Sequence, residues 1–271
     1  MTIKFGLIGG GVMGEALLSR LITRGVYQGA EVIVSEPQAS RRSFLEQQYQ
    51  VGVTTDNHQV FAEAKEVVML AVKPQVFSAI AQELGDIVPG ESSPLMISIL
   101  AGVPLKQLEA TFPRLPVVRA MPNTPATVGA GMTAICLGAY THPIHQEIAE
   151  KIFKAVGEVV EVAESLMDAV TGLSGSGPAY VALMVEALAD GGVAAGLPRT
   201  VAKQLALQTV LGTATLLSES KLHPAELKDR VTSPGGTTIA GISQLEKAGF
   251  RSAVIEAVKA AAHRSQELGK G

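Results

Sequence analysis

Gly9, Gly11 and Gly14 fill a G-x-G-x-x-G spacing between the apolar stretch 3–8 and the helix-forming run Glu15-Ala16-Leu17-Leu18. A strand, a glycine turn and a helix start in that order suit dinucleotide binding. Gly9 permits a tight turn, Gly11 lets the backbone approach a pyrophosphate, and Gly14 allows helix and strand to pack closely. Val12 and Met13 complete the loop, and the helix start offers unpaired N–H groups at a positive dipole end. Ala71-Val72-Lys73-Pro74 and Arg119-Ala120-Met121-Pro122-Asn123-Thr124-Pro125 each follow a strand-like segment. In a doubly wound sheet such positions border the ligand crevice. There Asn123 and Thr124 supply hydrogen-bonding groups, and Lys73 is either a general acid or a solvated lysine before a helix-starting proline. Two further clusters, Leu173-Ser174-Gly175-Ser176-Gly177-Pro178 and Thr232-Ser233-Pro234-Gly235-Gly236-Thr237-Thr238, are expected as loops running into helices. Hydroxyls and backbone N–H groups at a positive helix end suit an anion, most simply a carboxylate. The competing reading is ordinary N-capping by Ser or Thr.

Other chemistries find little support. The five histidines show no metal-ligand spacing beyond His142 and His145, which stand without a Cys or carboxylate cluster, so no metal is expected. No G-x-S-x-G elbow marks a nucleophilic serine. The one cysteine, Cys136, lies between Ile135 and Leu137 and reads as core. Asp168 is either a base or, more in keeping with its place, a helix cap. A net charge of -3 provides no basic field for nucleic acid or anionic membrane. The most apolar stretch, 179–197, contains Glu186, Asp190 and three glycines and reads as a buried helix rather than a membrane span. With no signal-peptide pattern, the expected compartment is the cytoplasm.

The elements that must position these residues divide the 271 residues into two domains. Apolar strand candidates at 3–8, 31–35, 67–72, 95–99 and 116–120 alternate with helical patterns at 13–24, 39–48, 74–84 and 104–111. A further pair of strands near 131–137 and 157–162 brackets a helix around 144–156. That alternation predicts an α/β, Rossmann-type, doubly wound parallel sheet over residues 1–163. Residues 164–271 lose strand signals and predict an all-α domain, with helices at 178–196, 198–219, 224–231, 237–248 and 251–268. Few charges fall between Ala179 and Leu217, so these helices are expected to pack against a second subunit.

Taken together, these blocks, with Thr171-Gly172 before the first serine cluster, Ala179-Tyr180 after it, and Ala189-Asp190-Gly191-Gly192 and Gly196-Leu197-Pro198-Arg199, resemble pyrroline-5-carboxylate reductases nearly end to end. The resemblance implies NAD(P)H-dependent reduction of the C=N bond of 1-pyrroline-5-carboxylate to L-proline, the last step of proline biosynthesis. It implies a helical dimerisation domain, a homodimer that can assemble into a larger ring such as a decamer, and an active site between the domains with the 233–238 loop supplied across the dimer interface. By the same resemblance, Ser233, Gly235, Gly236, Thr237 and Ser176 would hold the substrate, and Thr238 would hydrogen-bond the ring nitrogen. The cofactor would be lined by Gly9, Gly11, Val12, Met13, Gly14, Ser35, Arg41, Asn57, Ala71, Val72, Lys73, Pro74, Met121 and Asn123.

Cofactor choice is contested within the sequence. Glu36, about 20 residues beyond the glycine loop, suits the ribose 2′-OH of NADH, whereas Arg41 and Arg42 suit a 2′-phosphate. The resemblance favours NADPH, with NADH as the alternative. A β-hydroxyacid dehydrogenase would need a lysine where Val181 stands. A non-catalytic NAD(P) sensor would have no need of the complete 233–238 loop.

Overall fold

The computed structural model describes residues 2–85, 87, 90 and 93–269. Eight strands form one sheet: β1 (Phe5–Ile8), β2 (Val32–Ser35), β3 (Gly52–Thr54), β4 (Val67–Leu70), β5 (Leu95–Ser98), β6 (Val117–Met121), β7 (Gly131–Leu137) and β8 (Gly157–Glu161). Their spatial order is β3-β2-β1-β4-β5-β6-β7-β8. Every pairing is parallel except β6 with β7. That reversal departs from the all-parallel expectation: the 122–130 connection is shorter than the dozen or so residues a parallel crossover needs. A second departure is β3, a three-residue strand at the sheet edge, with α3 (Asn57–Glu63) directly after it.

β1, β2, β4 and β5 are buried along their whole length because both faces of the sheet are covered there. Phe5 and Leu7 point to one core with Leu17, Leu18 and Leu21 of α1 (Val12–Thr23), Leu45 of α2 (Ala39–Tyr49), and Ile152 and Phe153 of α6 (Pro143–Lys154). Ile8 faces the other core, with Val60 of α3, Phe77, Ile80 and Leu84 of α4 (Phe77–Leu84), and Leu105 and Leu108 of α5 (Leu105–Thr111). The helix expected from residue 74 starts as a 3₁₀ turn, Pro74–Val76, before α4.

Two compact units emerge: Met1–Gly175 together with Ala261–Gly271, and Ser176–Ala260. Packing thus changes after Gly175, and the last residues of the chain return to the first unit. They are held there by Ser265, buried, whose hydroxyl donates to Asp168 at 2.6 Å. Asp168 therefore does not cap a helix: it lies inside the one-turn α7 (Met167–Val170), whose N-cap residue is Leu166. Nor is the first serine-glycine cluster a loop at its start. Thr171–Gly175 continues α7 as a π-helical turn, with the Thr171 hydroxyl donating to Met167 O at 2.9 Å. Such turns gather at functional sites.

The second unit is helical: α8 (Gly177–Ala194), α9 (Arg199–Ser220), α10 (Pro224–Arg230), α11 (Thr237–Lys247) and the first part of α12 (Phe250–Leu268). Its own core is small, centred on Ala189, Ala202 and Ala206. Gly192 allows the close approach of α8 and α9, since a Cβ there would meet that of Ala202 at 3.1 Å. In the single chain Leu183, Leu207 and Leu211 remain exposed, each by more than half. Among the described residues, no helix is long and apolar enough to cross a membrane.

Candidate active site

Strand order reverses direction between β1 and β4, so the crevice of this doubly wound sheet opens beyond their C-terminal ends. The two segments leaving those ends are the glycine loop 9–14 and Ala71-Val72-Lys73-Pro74. They touch closely. Gly9 has φ +106°, and a Cβ there would lie 2.7 Å from Ala71 O. A Cβ on Gly14 would lie 2.2 Å from Gly9 O. Gly11 differs from both: a Cβ on it would meet nothing within 4 Å, and it is the N-cap of α1 with no side chain capping the helix. Its open side is where a diphosphate can approach the helix amides. Val12, 80% exposed, lies beside that opening.

Side chains from β2 and α2 fix the loop from behind. Gly10 N donates to Glu36 Oε2 at 3.1 Å, and Arg41 Nε donates to Gly10 O at 2.7 Å. Glu36 is buried, and its other carboxylate oxygen accepts from Gln38 N at 2.9 Å. The acid expected at a ribose hydroxyl is thus engaged with backbone on both oxygens. Ser35 is also buried, and its carbonyl accepts from Gly9 N. Arg42 donates to the carbonyls of Glu36 and Pro37, both at 2.8 Å. Asn57 opens α3 and donates to Glu83 at 2.8 Å, while Lys73 is exposed at the start of the 3₁₀ turn after β4.

Across the crevice, Met121 and Asn123 follow β6. Asn123 is a clasp: its Nδ2 donates to Ser174 O at 3.1 Å, and its Oδ1 accepts from Met132 N at 2.8 Å. Met121 packs against the π turn, where a Cβ on Gly175 would lie 2.7 Å from its Cε. Below this loop Arg119, buried, pairs with Glu164 at 3.2 Å. Cys136, opposite Arg119 in the strand register, is a buried thiol pushed up to about 12, first by burial and then by the Glu164 charge. Such a thiol stays protonated at neutral pH, which suits a core residue rather than a nucleophile. His142 and His145 cap α6, with His142 N donating to His145 Nδ1 at 2.9 Å.

In the second unit, residues 232–236 lead into α11. Gly235 takes φ +66°, and Gly236 folds so close that a Cβ would meet Ser233 Oγ at 2.4 Å. The competing reading, capping by Ser or Thr, does not apply: Gly236 is the N-cap of α11, and among the described residues no side-chain cap bond is made there. The hydroxyls of Ser233, Thr237 and Thr238 make no hydrogen bond among the described residues, whereas Thr232 donates to Lys228 O. Ser176 is likewise an N-cap residue, of α8, without a side-chain cap bond.

These parts match known proteins over the whole chain. A curated pyrroline-5-carboxylate reductase of Synechocystis is 61% identical, covering 100% of both chains, and one of Pisum sativum is 42% identical, covering 98% of this chain and 96% of its own. The chain belongs to the pyrroline-5-carboxylate reductase family. Its family model for pyrroline-5-carboxylate reductase dimerisation matches residues 164–268, and a model of NADP oxidoreductase, coenzyme F420-dependent, matches residues 4–102. Among solved structures, a pyrroline-5-carboxylate reductase of Coxiella burnetii aligns with TM-score 0.91 at 37% identity over 100% of both chains. A Plasmodium falciparum pyrroline carboxylate reductase with NADP bound aligns with TM-score 0.88 at 31% identity over 98% of both. Two residues that support the glycine loop, Glu15 and Tyr49, had no part in the site expected from the sequence, and Ser174, expected as an anion-binding hydroxyl, acts through its carbonyl. Glu15 and Tyr49 back the glycine loop, and Ser174 anchors Asn123. Glu15 and Tyr49 carry no motif; the signal was Arg41, a cation whose helix faces an acid on α1.

Proposed function

We propose that this chain reduces 1-pyrroline-5-carboxylate to L-proline with NADPH, NADH being the weaker alternative. The observation that carries the reading is the start of α11. Uncapped amides and three uncommitted hydroxyls stand in one loop, on a chain whose other unit has a glycine cradle open at Gly11. The nicotinamide supplies the hydride. In this reading the amides of the 233–237 loop and the hydroxyls of Ser233 and Thr237 hold the substrate carboxylate, aided by Ser176. Such charge-assisted bonds contribute about 1.5–3 kcal/mol each. The Thr238 hydroxyl bonds the ring nitrogen, orienting the imine and holding its proton as the nitrogen becomes an amine. The remaining role of the protein is placement, since hydride transfer needs the reacting carbons about 3–3.5 Å apart. In the first unit the amides of 11–14 take the diphosphate, while Ser35 and Arg41 flank the adenosine ribose. Asn57, the 71–74 segment, Met121 and Asn123 line the rest, with the side chain of Asn123 serving chiefly to hold the loop.

NADPH is favoured by Arg41 and Arg42 beside the β2 end, by the engagement of Glu36 with Gly10 and Gln38, and by the NADP of the Plasmodium relative. The second unit supports a homodimer. Besides its exposed leucines it has an open apolar groove of about 520 Å³ lined by Tyr180, Met184, Ile242, Leu245 and Phe250, and a second copy would cover such surface.

The test compares 1-pyrroline-5-carboxylate with 1-pyrroline, the same cyclic imine without its carboxylate. Loss of two charge-assisted bonds, about 3–6 kcal/mol together, predicts a fall in kcat/KM of about 100-fold or more. Equal kcat/KM for the two imines would remove the carboxylate role of the 233–237 loop.

A further inference from the structure

Arg41 stands in the first turn of α2, beyond the β2 end, where the adenosine ribose of a dinucleotide lies in this fold. Its guanidinium is already shared. Nε donates to Gly10 O at 2.7 Å, one terminal nitrogen pairs with the Glu15 carboxylate, and the group lies 5.0 Å from the centre of the Phe44 ring. The other terminal nitrogen makes no hydrogen bond among the described residues. Glu15 projects from α1, and its second carboxylate oxygen accepts from the Tyr49 hydroxyl at 2.8 Å. Both partners of the ion pair are about three-quarters covered, so water screens them only in part.

We propose that Glu15 is a specificity-determining residue for the cofactor: its carboxylate shares Arg41 with the 2′-phosphate of NADPH and so limits the preference for NADPH over NADH. The inference rests on the dinucleotide reading of the glycine loop. A 2′-phosphate carries close to two negative charges, as other phosphomonoesters do. Bound to Arg41, it would face Glu15 across a single guanidinium, with the buried Glu36 as a second anion nearby. NADH, with a neutral hydroxyl at that position, meets no such repulsion. The carboxyl of Glu15 stays ionised: burial pushes it up, but the Arg41 and Tyr49 hydrogen bonds outweigh that and hold it below the usual carboxylate range. The limit on NADPH therefore operates throughout the neutral pH range.

Glu15→Gln removes the charge and keeps an oxygen for Tyr49, while Gly10 O and Phe44 still hold Arg41. Calorimetric titration of this variant with NADP⁺ is expected to show binding about tenfold tighter than wild type at low salt, a one-charge effect at this range and partial screening. Affinity for NAD⁺ should stay within about twofold, as expected for a ligand without the second charge. The NADP⁺ gain should shrink as salt rises. Arg41→Leu should abolish the advantage of NADP⁺ over NAD⁺, and in that background Glu15→Gln should no longer change the ratio. A NADP⁺ to NAD⁺ affinity ratio that is unchanged or lowered by Glu15→Gln overturns the proposal, the lowered case meaning that Glu15 serves as a brace for Arg41. If wild type binds neither dinucleotide, the reading of the loop fails, and the inference fails with it. Firm wild-type binding without a Glu15 effect removes the inference alone.

Discussion

Alanine at two glycines of the same loop should separate folding from ligand binding. At Gly14 the added Cβ would sit 2.2 Å from Gly9 O, against an ordinary contact of at least 3.4 Å, so backbone must move by about 1 Å. Overpacking of this kind costs about 1–3 kcal/mol of stability. A displacement of that size at a binding cradle weakens function about 100-fold. At Gly11 the Cβ would meet nothing within 4 Å, and the backbone angles, φ −69° and ψ −172°, suit alanine. Replacing a glycine N-cap by alanine loses a few tenths to about 1 kcal/mol. Restricting the unfolded chain regains about 0.4–1 kcal/mol. The net change should lie within about 0.5 kcal/mol of zero. Yet the methyl occupies the open side of the cradle and should displace at least one charge-assisted bond to the diphosphate, worth about 1.5–3 kcal/mol, or about 10- to 100-fold in Kd. Urea unfolding and NADP⁺ titration of the two variants provide the assay. A Gly11→Ala variant with wild-type cofactor affinity would refute the placement of the diphosphate at Gly11. An unperturbed Gly14→Ala variant would refute the close packing.

Other outcomes follow from single groups. Thr238→Ala should lower kcat about 10- to 100-fold, as expected when one hydrogen bond to a changing nitrogen is lost, with stability little altered because the half-buried hydroxyl makes no hydrogen bond among the described residues; an unchanged kcat takes Thr238 out of the mechanism. Thr133 is buried on β7 with a hydroxyl that has no partner among the described residues, so Thr133→Val should raise stability by about 1 kcal/mol in urea titration, and a loss of that size would reveal a hidden partner. Cys136, buried and pushed up to about 12, should resist iodoacetamide at pH 8 in the native state and react once unfolded. Prompt labelling of the native protein would contradict its burial.

Much of the scaffold was legible because its signals are local. Continuous apolar runs such as Val67–Leu70 and glycines bound to one backbone geometry, such as Gly9 and Gly14, declare themselves in a short window. What escaped depends on distant partners. β3 is a half-exposed edge strand, and α3 buries only Val60, which presses against Gly6 of β1 where a Cβ would lie 2.6 Å away. Thr171–Gly175 has the composition of a loop; it winds as a helix because Asn123 holds Ser174 and Met121 packs on Gly175. Among site residues, Glu36 and Arg41 were legible as charges near the β2 end. That Glu36 binds the Gly10 amide, and that Arg41 is shared with Glu15, depends on contacts between residues 26 positions apart.

The central claim is catalytic, and absorbance at 340 nm tests it most directly. Purified protein is mixed with 1-pyrroline-5-carboxylate and either NADPH or NADH, and the product is analysed by chromatography. The account predicts rapid oxidation, faster with NADPH, and L-proline in equal molar amount to the cofactor consumed. Absence of oxidation with either cofactor, by protein that binds them in titration, would contradict it.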